Sequence, residues 1–94
     1  MYARIIGTGA YVPGEPVPNQ YFEDMMETND EWIRSRTGIH TRHFSRGENT
    51  SDLGQKAAEA ALQDAGITAQ ELDLIVFATM TPDAYMPSTA CLVQ

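Results

Sequence analysis

The side chains best suited to bind a ligand lie in one short stretch of this 94-residue chain. Trp32 and Arg36 are four residues apart, so a helix would place them on one face. An indole ring offers a flat surface for stacking a base, and a guanidinium group can hold a phosphate through two hydrogen bonds. Thr28 and Thr37 add hydroxyl groups at the two ends of the stretch. The pattern favours a site for a nucleotide-bearing ligand, and its alternative is a buried core tryptophan beside a solvated arginine.

The other reactive residue types do not have the spacing of a metal or cofactor site. His40 and His43 are three residues apart, which in a strand would point them to opposite faces, and no cysteine or acidic residue lies close to them. Gly7 and Gly9 are not followed by the rest of a dinucleotide-binding fingerprint, so they are interpreted as structural glycines. Cys91 is the only cysteine, and we expect it to be a small buried core residue. The sequence therefore predicts no metal site.

Charge is distributed unevenly along the chain. The net charge of −7 argues against nucleic acid as a partner. Residues 34–46 nevertheless contain four arginines, two histidines and no acidic residue, which gives this segment a charge of +4 and the other residues −11. A basic segment in an acidic chain favours a binding role, and on charge alone the alternative is an ordinary solvated face.

Composition points to a globular chain outside the membrane. Hydrophobic residues make up 43% of the chain and charged residues 20%, which is ordinary for a globular domain. No apolar run approaches the roughly 20 residues of a membrane span, and the first residues lack the apolar segment of a signal peptide. A single cysteine fits a reducing compartment. We therefore expect a cytoplasmic protein without a membrane span.

Strands and helices alternate in the predicted element order. The clearest helix is Thr50–Ala65, with Gly66 as its stop and a stripe of alanines that permits close packing. A second helix is predicted to begin at a capping box formed by Thr28 and Glu31 and to end at Gly38. Strands are predicted at Tyr2–Val12, Ile39–Phe44 and Leu74–Thr79, and shorter helical segments at Gln20–Met26 (with Asn19 as N-cap), at Thr68–Glu71 and from Pro87 to Gln94. This order indicates an α/β fold with a mixed sheet layered with helices, and it is incomplete because so few strands cannot cover the long helix.

Several motifs together resemble those of β-ketoacyl-acyl carrier protein synthase III. The most specific is D-E-W-I-x-x-R-T-G-I at residues 30–39, continued by Arg42 and His43. It is preceded by I-I-G-T-G-x-Y-x-P at residues 5–13 and followed by A-G-I at 65–67, D-L-I-V-x-A-T at 73–79 and P-S-T-A-C at 87–91. The resemblance covers essentially all 94 residues.

This resemblance implies a homodimer of thiolase-fold subunits, of which residues 1–94 are the N-terminal portion of the condensing-enzyme domain, with the C-terminal remainder absent. It also implies a reaction in which an acyl group passes from acyl-coenzyme A to a cysteine thiolate. Malonyl-acyl carrier protein then loses carbon dioxide, and the resulting carbanion attacks the thioester. Coenzyme A thioester is thus expected as a substrate, and no separate cofactor is implied.

The resemblance also assigns expected roles to individual residues. In the family, the residue that matches Trp32 stacks on the adenine of coenzyme A. The residues that match Arg36, Thr28 and Thr37 line the nucleotide and phosphate end of that site. Met86 stands where many members have phenylalanine, at a position that enters the acyl pocket of the partner subunit. The nucleophilic cysteine of the family and its histidine and asparagine partners lie beyond the P-S-T-A-C segment, so no catalytic residue is expected among these 94 residues.

Two other functions are compatible with the same residues. One is an acyltransferase or ester-forming relative that uses the same coenzyme A face without decarboxylation. The other is a non-catalytic coenzyme A-binding or dimerisation module. The pathway, whether fatty-acid or related polyketide biosynthesis, is left open by the sequence.

Overall fold

Residues 1–94 are all described by a computed structural model, in which the chain divides into two compact units. One unit comprises residues 1–12 and 47–94, and the other comprises residues 13–46. The helices are α1 (Asp30–Thr37), α2 (Thr50–Ala65) and α3 (Thr89–Val93), with 3₁₀ turns at Asn19–Phe22 and Ala69–Glu71; the strands are β1 (Val17–Pro18) and β2 (Thr41–Arg42). No helix is both long and apolar enough to cross a membrane.

Helix α2 has the bounds predicted from the sequence, because local signals fix both of its ends. The Asn49 N–H donates to the Asp52 carboxylate at 2.8 Å, within a capping box at the first turn. Gly66 ends the helix with a φ of 69°, in the left-handed region that glycine adopts without strain. The short helical segment predicted at Thr68–Glu71 is observed as a 3₁₀ turn, with a capping box in which the Thr68 N–H donates to the Glu71 carboxylate at 2.8 Å.

The alanine stripe of α2 allows a neighbouring backbone to lie directly against the helix. A Cβ atom added to Gly9 would lie 2.5 Å from the Ala57 carbonyl oxygen, and one added to Gly7 would lie 2.7 Å from the Ala65 Cβ. The Thr8 N–H between them donates to the Asp64 carboxylate at 3.0 Å. The glycines are therefore required for close approach to the helix, as the sequence predicted.

A second contact packs residues of the 74–79 segment on the same helix. A Cβ added to Gly54 would lie 2.6 Å from Cζ of the Phe77 ring, so the ring occupies the space that a larger side chain would fill. Gly54, Ala57 and Ala61 follow one another at helical spacing on one face of α2. Both segments thus pack on a single stripe of small residues.

Tyr11, Glu48 and Lys56 form a polar cluster in the same unit. The Lys56 ammonium donates to the Glu48 carboxylate at 2.8 Å and to the Tyr11 hydroxyl at 3.2 Å, and the Tyr11 hydroxyl donates to Glu48 at 2.8 Å. These hydrogen bonds, first to Glu48 and then to Tyr11, raise the pKa of Lys56. They also lower the pKa of Glu48, with the Lys56 bond contributing most. The cluster ties the end of the N-terminal segment to α2.

Two predicted strands are absent. Tyr2–Val12 and Leu74–Thr79 lack strand structure because neither makes backbone hydrogen bonds to a neighbouring strand. The predicted strand Ile39–Phe44 is shortened to β2, which pairs antiparallel with β1 in the register Val17 to Arg42. The sheet described here therefore has two short strands rather than the three predicted ones.

Side-chain hydrogen bonds explain the corrections to the helices of the second unit. Asn19 does not cap a helix over Gln20–Met26; its side chain bonds elsewhere, and the chain forms a single 3₁₀ turn there. Helix α1 is capped by Asn29 rather than Thr28, since the Asn29 side-chain oxygen accepts the Trp32 N–H at 2.8 Å. Gly38 ends α1 as predicted, with a φ of 75°. Helix α3 begins at Thr89, two residues after the predicted start.

No hydrophobic side chain of the chain is buried. Ile5 is 84% exposed and Val76 is 83% exposed, although each belongs to an apolar run typical of a buried strand. The accessible surface of the chain is 7882 Å², whereas a complete monomer of this mass exposes about 5,400 Å². These apolar surfaces therefore require partners that residues 1–94 do not supply.

We predict that residues 1–94 expressed alone will be partly unfolded or aggregated, because they bury too little apolar surface to offset the conformational entropy of folding. Proton NMR and thermal melting test this prediction. Broad, poorly dispersed amide signals without a cooperative transition are expected. Dispersed signals with a sharp melt would instead identify an autonomous domain.

We predict that Gly9→Ala in the complete polypeptide will destabilise the fold by about 1–3 kcal/mol, since its methyl group would overlap the backbone of α2. Chemical denaturation measures the change. Gln63→Ala, at an exposed polar residue of α2, is the control and should change stability by less than about 0.5 kcal/mol. Equal effects of the two substitutions would contradict the close contact as the cause.

Candidate functional site: an exposed Trp–Arg face on helix α1

Trp32 and Arg36 lie together on the surface of α1. The Arg36 guanidinium carbon is 5.5 Å from the centroid of the Trp32 ring, within the range of a cation–π contact. The Trp32 side chain is 54% exposed. Within residues 1–94, Trp32 is thus half-exposed, with its ring beside the Arg36 guanidinium.

The three arginines around this helix differ in what they contact. Arg34 forms an ion pair with Asp30 at 3.4 Å, and Arg42 donates to the Val17 carbonyl at 3.2 Å. Arg36 makes no hydrogen bond within the chain, and its guanidinium lies over the Trp32 ring. Because its guanidinium donors are unused and lie beside an exposed indole, Arg36 is, of these three arginines, the one best placed to bind an anion.

The two threonines of the predicted site have different environments. The Thr37 hydroxyl donates to the Ile33 carbonyl at 2.7 Å and accepts the Ile39 N–H at 3.0 Å, so it stabilises the end of α1. The Thr28 hydroxyl is buried and has no hydrogen-bond partner in the chain. Thr37 follows Arg36 directly on α1, whereas Thr28 precedes the N-cap of that helix.

Asn19 connects the structural elements that hold α1. Its side-chain nitrogen donates to the Asp30 carboxylate and to the Ile39 carbonyl, each at 2.8 Å, and its oxygen accepts a hydrogen bond from Arg42. The bond from Asn19, supported by Arg34, lowers the pKa of the Asp30 carboxyl group. Sequence reasoning missed this role, because its partners lie 11 to 23 residues away and no local motif links them.

His43 has a structural role, while no site for a metal is found. The His43 Nδ1 lies 3.0 Å from the Pro13 carbonyl oxygen and 3.2 Å from that of Gly14. No group of three or more histidine, cysteine, aspartate or glutamate side chains is placed to hold a metal ion.

Met86 lies in the unit that contains α2, at the end of the predicted loop over residues 80–86, and is 84% exposed. The start of α2 anchors this loop. The Thr50 hydroxyl donates to the Thr81 carbonyl at 2.6 Å, and the Ser51 N–H donates to the Asp83 carboxylate at 2.8 Å. The loop is therefore held on α2 by polar contacts while Met86 projects into open space.

Cys91 is exposed, so its prediction as a buried core residue was wrong. It lies on α3 beside an open cavity of about 670 Å³ formed with residues of α2 and the segment after it. The Ser88 hydroxyl donates to its sulfur at 3.2 Å. The cysteine is uncovered because nothing in residues 1–94 fills this cavity.

Comparisons with known proteins identify relatives along nearly the whole chain, although no family model matches it. Beta-ketoacyl-[acyl-carrier-protein] synthase III of Clostridium perfringens (strain SM101) is 55% identical over 92 residues, which are 98% of this chain and 28% of that protein. The synthase III of Clostridium acetobutylicum is 56% identical over 91 residues, again 97% of this chain and 28% of that protein. The chain thus spans about 28% of the length of the curated relatives that it matches.

The fold of the chain is also similar to that of solved condensing enzymes. The 3-oxoacyl-[acyl-carrier-protein] synthase III from Aquifex aeolicus VF5 aligns with a TM-score of 0.89 and 46% identity, over 96% of this chain and 29% of that one. The priming β-ketosynthase from the R1128 polyketide biosynthetic pathway aligns with a TM-score of 0.88 and 33% identity, over 96% of this chain and 27% of that one. The incomplete α/β architecture is therefore a portion of the thiolase-like fold. By its sequence and its fold, the chain matches the N-terminal part of β-ketoacyl-[acyl-carrier-protein] synthase III proteins.

Proposed function

We propose that this chain is part of an acyltransferase that condenses an acyl-coenzyme A primer with malonyl-acyl carrier protein in fatty-acid biosynthesis. The identity of 51–56% to synthase III proteins over nearly the whole chain supports the reaction class. The polyketide priming ketosynthase, at 33% identity, supports a related polyketide pathway less strongly. Ester formation and a purely binding role have no observation in their favour.

The face of α1 is proposed to bind the nucleotide end of coenzyme A. The observation that carries this proposal is the exposed pair of Trp32 and Arg36, in which the guanidinium retains all its hydrogen-bond donors. The adenine would stack on the indole, and the phosphates would accept hydrogen bonds from Arg36. Thr28 and Thr37 would line the same end of the site. Coenzyme A then acts as a substrate carrier, and the proposal includes no separate cofactor.

In this proposal, residues of α1 bind the substrate, and residues outside 1–94 carry out the reaction. Binding the nucleotide at a distance from the thioester supplies energy that orients the reacting carbon. The nucleophilic cysteine, histidine and asparagine expected from the family lie outside residues 1–94. Our proposal therefore assigns α1 to substrate binding and assigns no catalytic residue to this chain.

The proposal also includes two protein partners, an acyl carrier protein and a second copy of the complete protein. Arg36 and the other cations of the basic segment give an acidic chain one surface suited to an acidic carrier protein. The complete protein is proposed to be a cytoplasmic homodimer in which Met86 of one subunit borders the acyl pocket of the other. Nucleic acid is not among the proposed partners, since the net charge is −7.

We predict that Trp32→Ala in the complete enzyme will weaken acyl-coenzyme A binding by about 1–3 kcal/mol, the range for the loss of one base stack. Transfer from an acyl-pantetheine thioester, which lacks the nucleotide, should change little. Steady-state kinetics with the two donors measures the difference.

Glu31→Gln is the matched control for this substitution. Glu31 lies on the same helix, is exposed, and belongs to neither the basic segment nor the Asn19 contacts, so its replacement should leave both donors nearly unaffected. If Trp32→Ala lowers activity equally with both donors, the tryptophan supports the fold rather than the ligand.

We predict that the size of residue 86 sets the preferred acyl-chain length. Met86→Phe should shift the preference towards shorter acyl groups, and Met86→Ala towards longer ones, because the methionine side chain adapts its shape more readily than phenylalanine does. Competition among acyl-coenzyme A donors of increasing length provides the profile. Met80→Phe, at another exposed methionine of the loop, is the control; unchanged profiles in both Met86 variants would place this residue away from the pocket.

A further inference from the structure

The most completely buried side chain in the structure is a polar one. Asn19 is 0% exposed, whereas no hydrophobic side chain is buried. Its two amide hydrogens and its oxygen are all engaged by protein groups. A buried amide with every one of these bonds made is costly to disturb and specifies one arrangement of its partners.

The partners of Asn19 belong to the first turn of α1 and to the segment that follows the helix. Asp30 is the first residue of that helix, and Ile39 immediately follows Gly38, which ends it. One nitrogen atom binds both the Asp30 carboxylate and the Ile39 carbonyl, each at 2.8 Å. The chain after α1 therefore returns along the helix to its first turn, and Asn19 fixes this return.

Arg42 completes the arrangement from the other side. It donates to the Asn19 oxygen and to the Val17 carbonyl, and its guanidinium carbon lies 4.6 Å from the centroid of the Phe22 ring. This contact joins β1 and β2 to the same amide group. The orientation of α1 within its unit thus depends on a small polar cluster, which we call the Asn19 cluster (Asn19, Asp30, Ile39 and Arg42).

Packing offers α1 little alternative support. The helix has eight residues and none of them is buried, and helices of this length are marginal in water without tertiary contacts. The Asn19 hydrogen bonds fix the first turn of this helix and the chain that follows it, and a helix released from them is free to tilt or fray. Trp32 and Arg36 would then lose their common orientation.

We propose that Asn19 is a positioning residue for coenzyme A binding: it ties the segment that follows α1 to the first turn of the helix, so that Trp32 and Arg36 are preorganised for the nucleotide. The inference rests on the proposed function of the α1 face and adds the residue that fixes its geometry. Asn19 itself touches no substrate in this scheme. Preorganisation lowers the entropy lost when the ligand binds, so disorder in α1 appears as weaker binding.

Asparagine is suited to this place by its mixed donor and acceptor groups. In Asn19→Asp both donors are lost, and a carboxylate faces the Asp30 carboxylate and the Ile39 carbonyl oxygen. In Asn19→Ser one hydroxyl donor remains, on a shorter side chain. The aspartate should therefore disturb α1 more than the serine does.

Kinetics of the complete enzyme with two donors tests the inference. For Asn19→Asp, the KM for acyl-coenzyme A should rise on the order of tenfold, a typical loss when a binding group is slightly misplaced. The kcat and the KM for an acyl-pantetheine thioester should change less than about twofold, because that donor does not reach α1. Asn19→Ser should give a smaller loss of the same kind, and it provides the comparison if the aspartate variant is insoluble.

A double-mutant cycle separates positioning from general stability. If Asn19 acts through Trp32, adding Asn19→Asp to Trp32→Ala should weaken acyl-coenzyme A binding little further. A reciprocal exchange, Asn19→Asp with Asp30→Asn, restores a donor–acceptor pair between the two positions and should recover part of the lost affinity.

The outcomes distinguish this inference from the proposed function. Normal binding in Trp32→Ala would overturn the proposed function of the α1 face itself. A donor-specific defect in Trp32→Ala, with unchanged acyl-coenzyme A binding in both Asn19 variants, would overturn the positioning role alone. Equal losses with both donors in the Asn19 variants, or fully additive effects in the cycle, would also overturn it.

Discussion

The hydrogen bonds of the buried Asn19 amide are the interaction on which the second unit depends. Most small folds are ordered by apolar side chains that leave water, but no hydrophobic side chain is buried in these residues. A polar group removed from water has few acceptable partners, so it specifies geometry more sharply than an apolar contact. Here it joins β2, the first turn of α1 and the segment that follows α1. The exposed Trp32–Arg36 face is therefore ordered by groups that do not belong to it.

Close backbone approach has the corresponding role in the other unit. Gly7, Gly9 and Gly54 let neighbouring groups lie against the small residues of α2, at distances that any added Cβ would violate. The contact uses one face of the helix and leaves the apolar residues of the segments themselves exposed, with Leu74 78% accessible. Within residues 1–94, this unit therefore has apolar surfaces but no buried apolar core. Those surfaces acquire their stabilising value only when other polypeptide covers them.

The helix ends that depend on nearby residues could be predicted from the sequence. Both bounds of α2 and the stop of α1 at Gly38 follow from glycine and capping residues within a few positions of them. The pairing of Trp32 with Arg36 follows from helical spacing. The strand predicted at Tyr2–Val12 is absent. Its formation could not be predicted in the same way, because a strand depends on a hydrogen-bonding neighbour that is distant in the sequence. The side-chain bonds of Asn19 were missed for the same reason, since a residue suited to cap a helix was used instead for long-range contacts.

The arginines of the basic segment have different roles, although the sequence shows them as one run of positive charge. The basic segment counts four arginines, yet Arg34 neutralises Asp30 and Arg42 supports the Asn19 cluster. Part of the positive charge therefore stabilises the unit and is unavailable to a ligand. Arg36, without a hydrogen-bond partner and beside an exposed indole, differs from its neighbours in environment rather than in type. The same residue type thus contributes to folding at two positions and at a third retains the donors that the proposed ligand site requires, and only its contacts distinguish these positions.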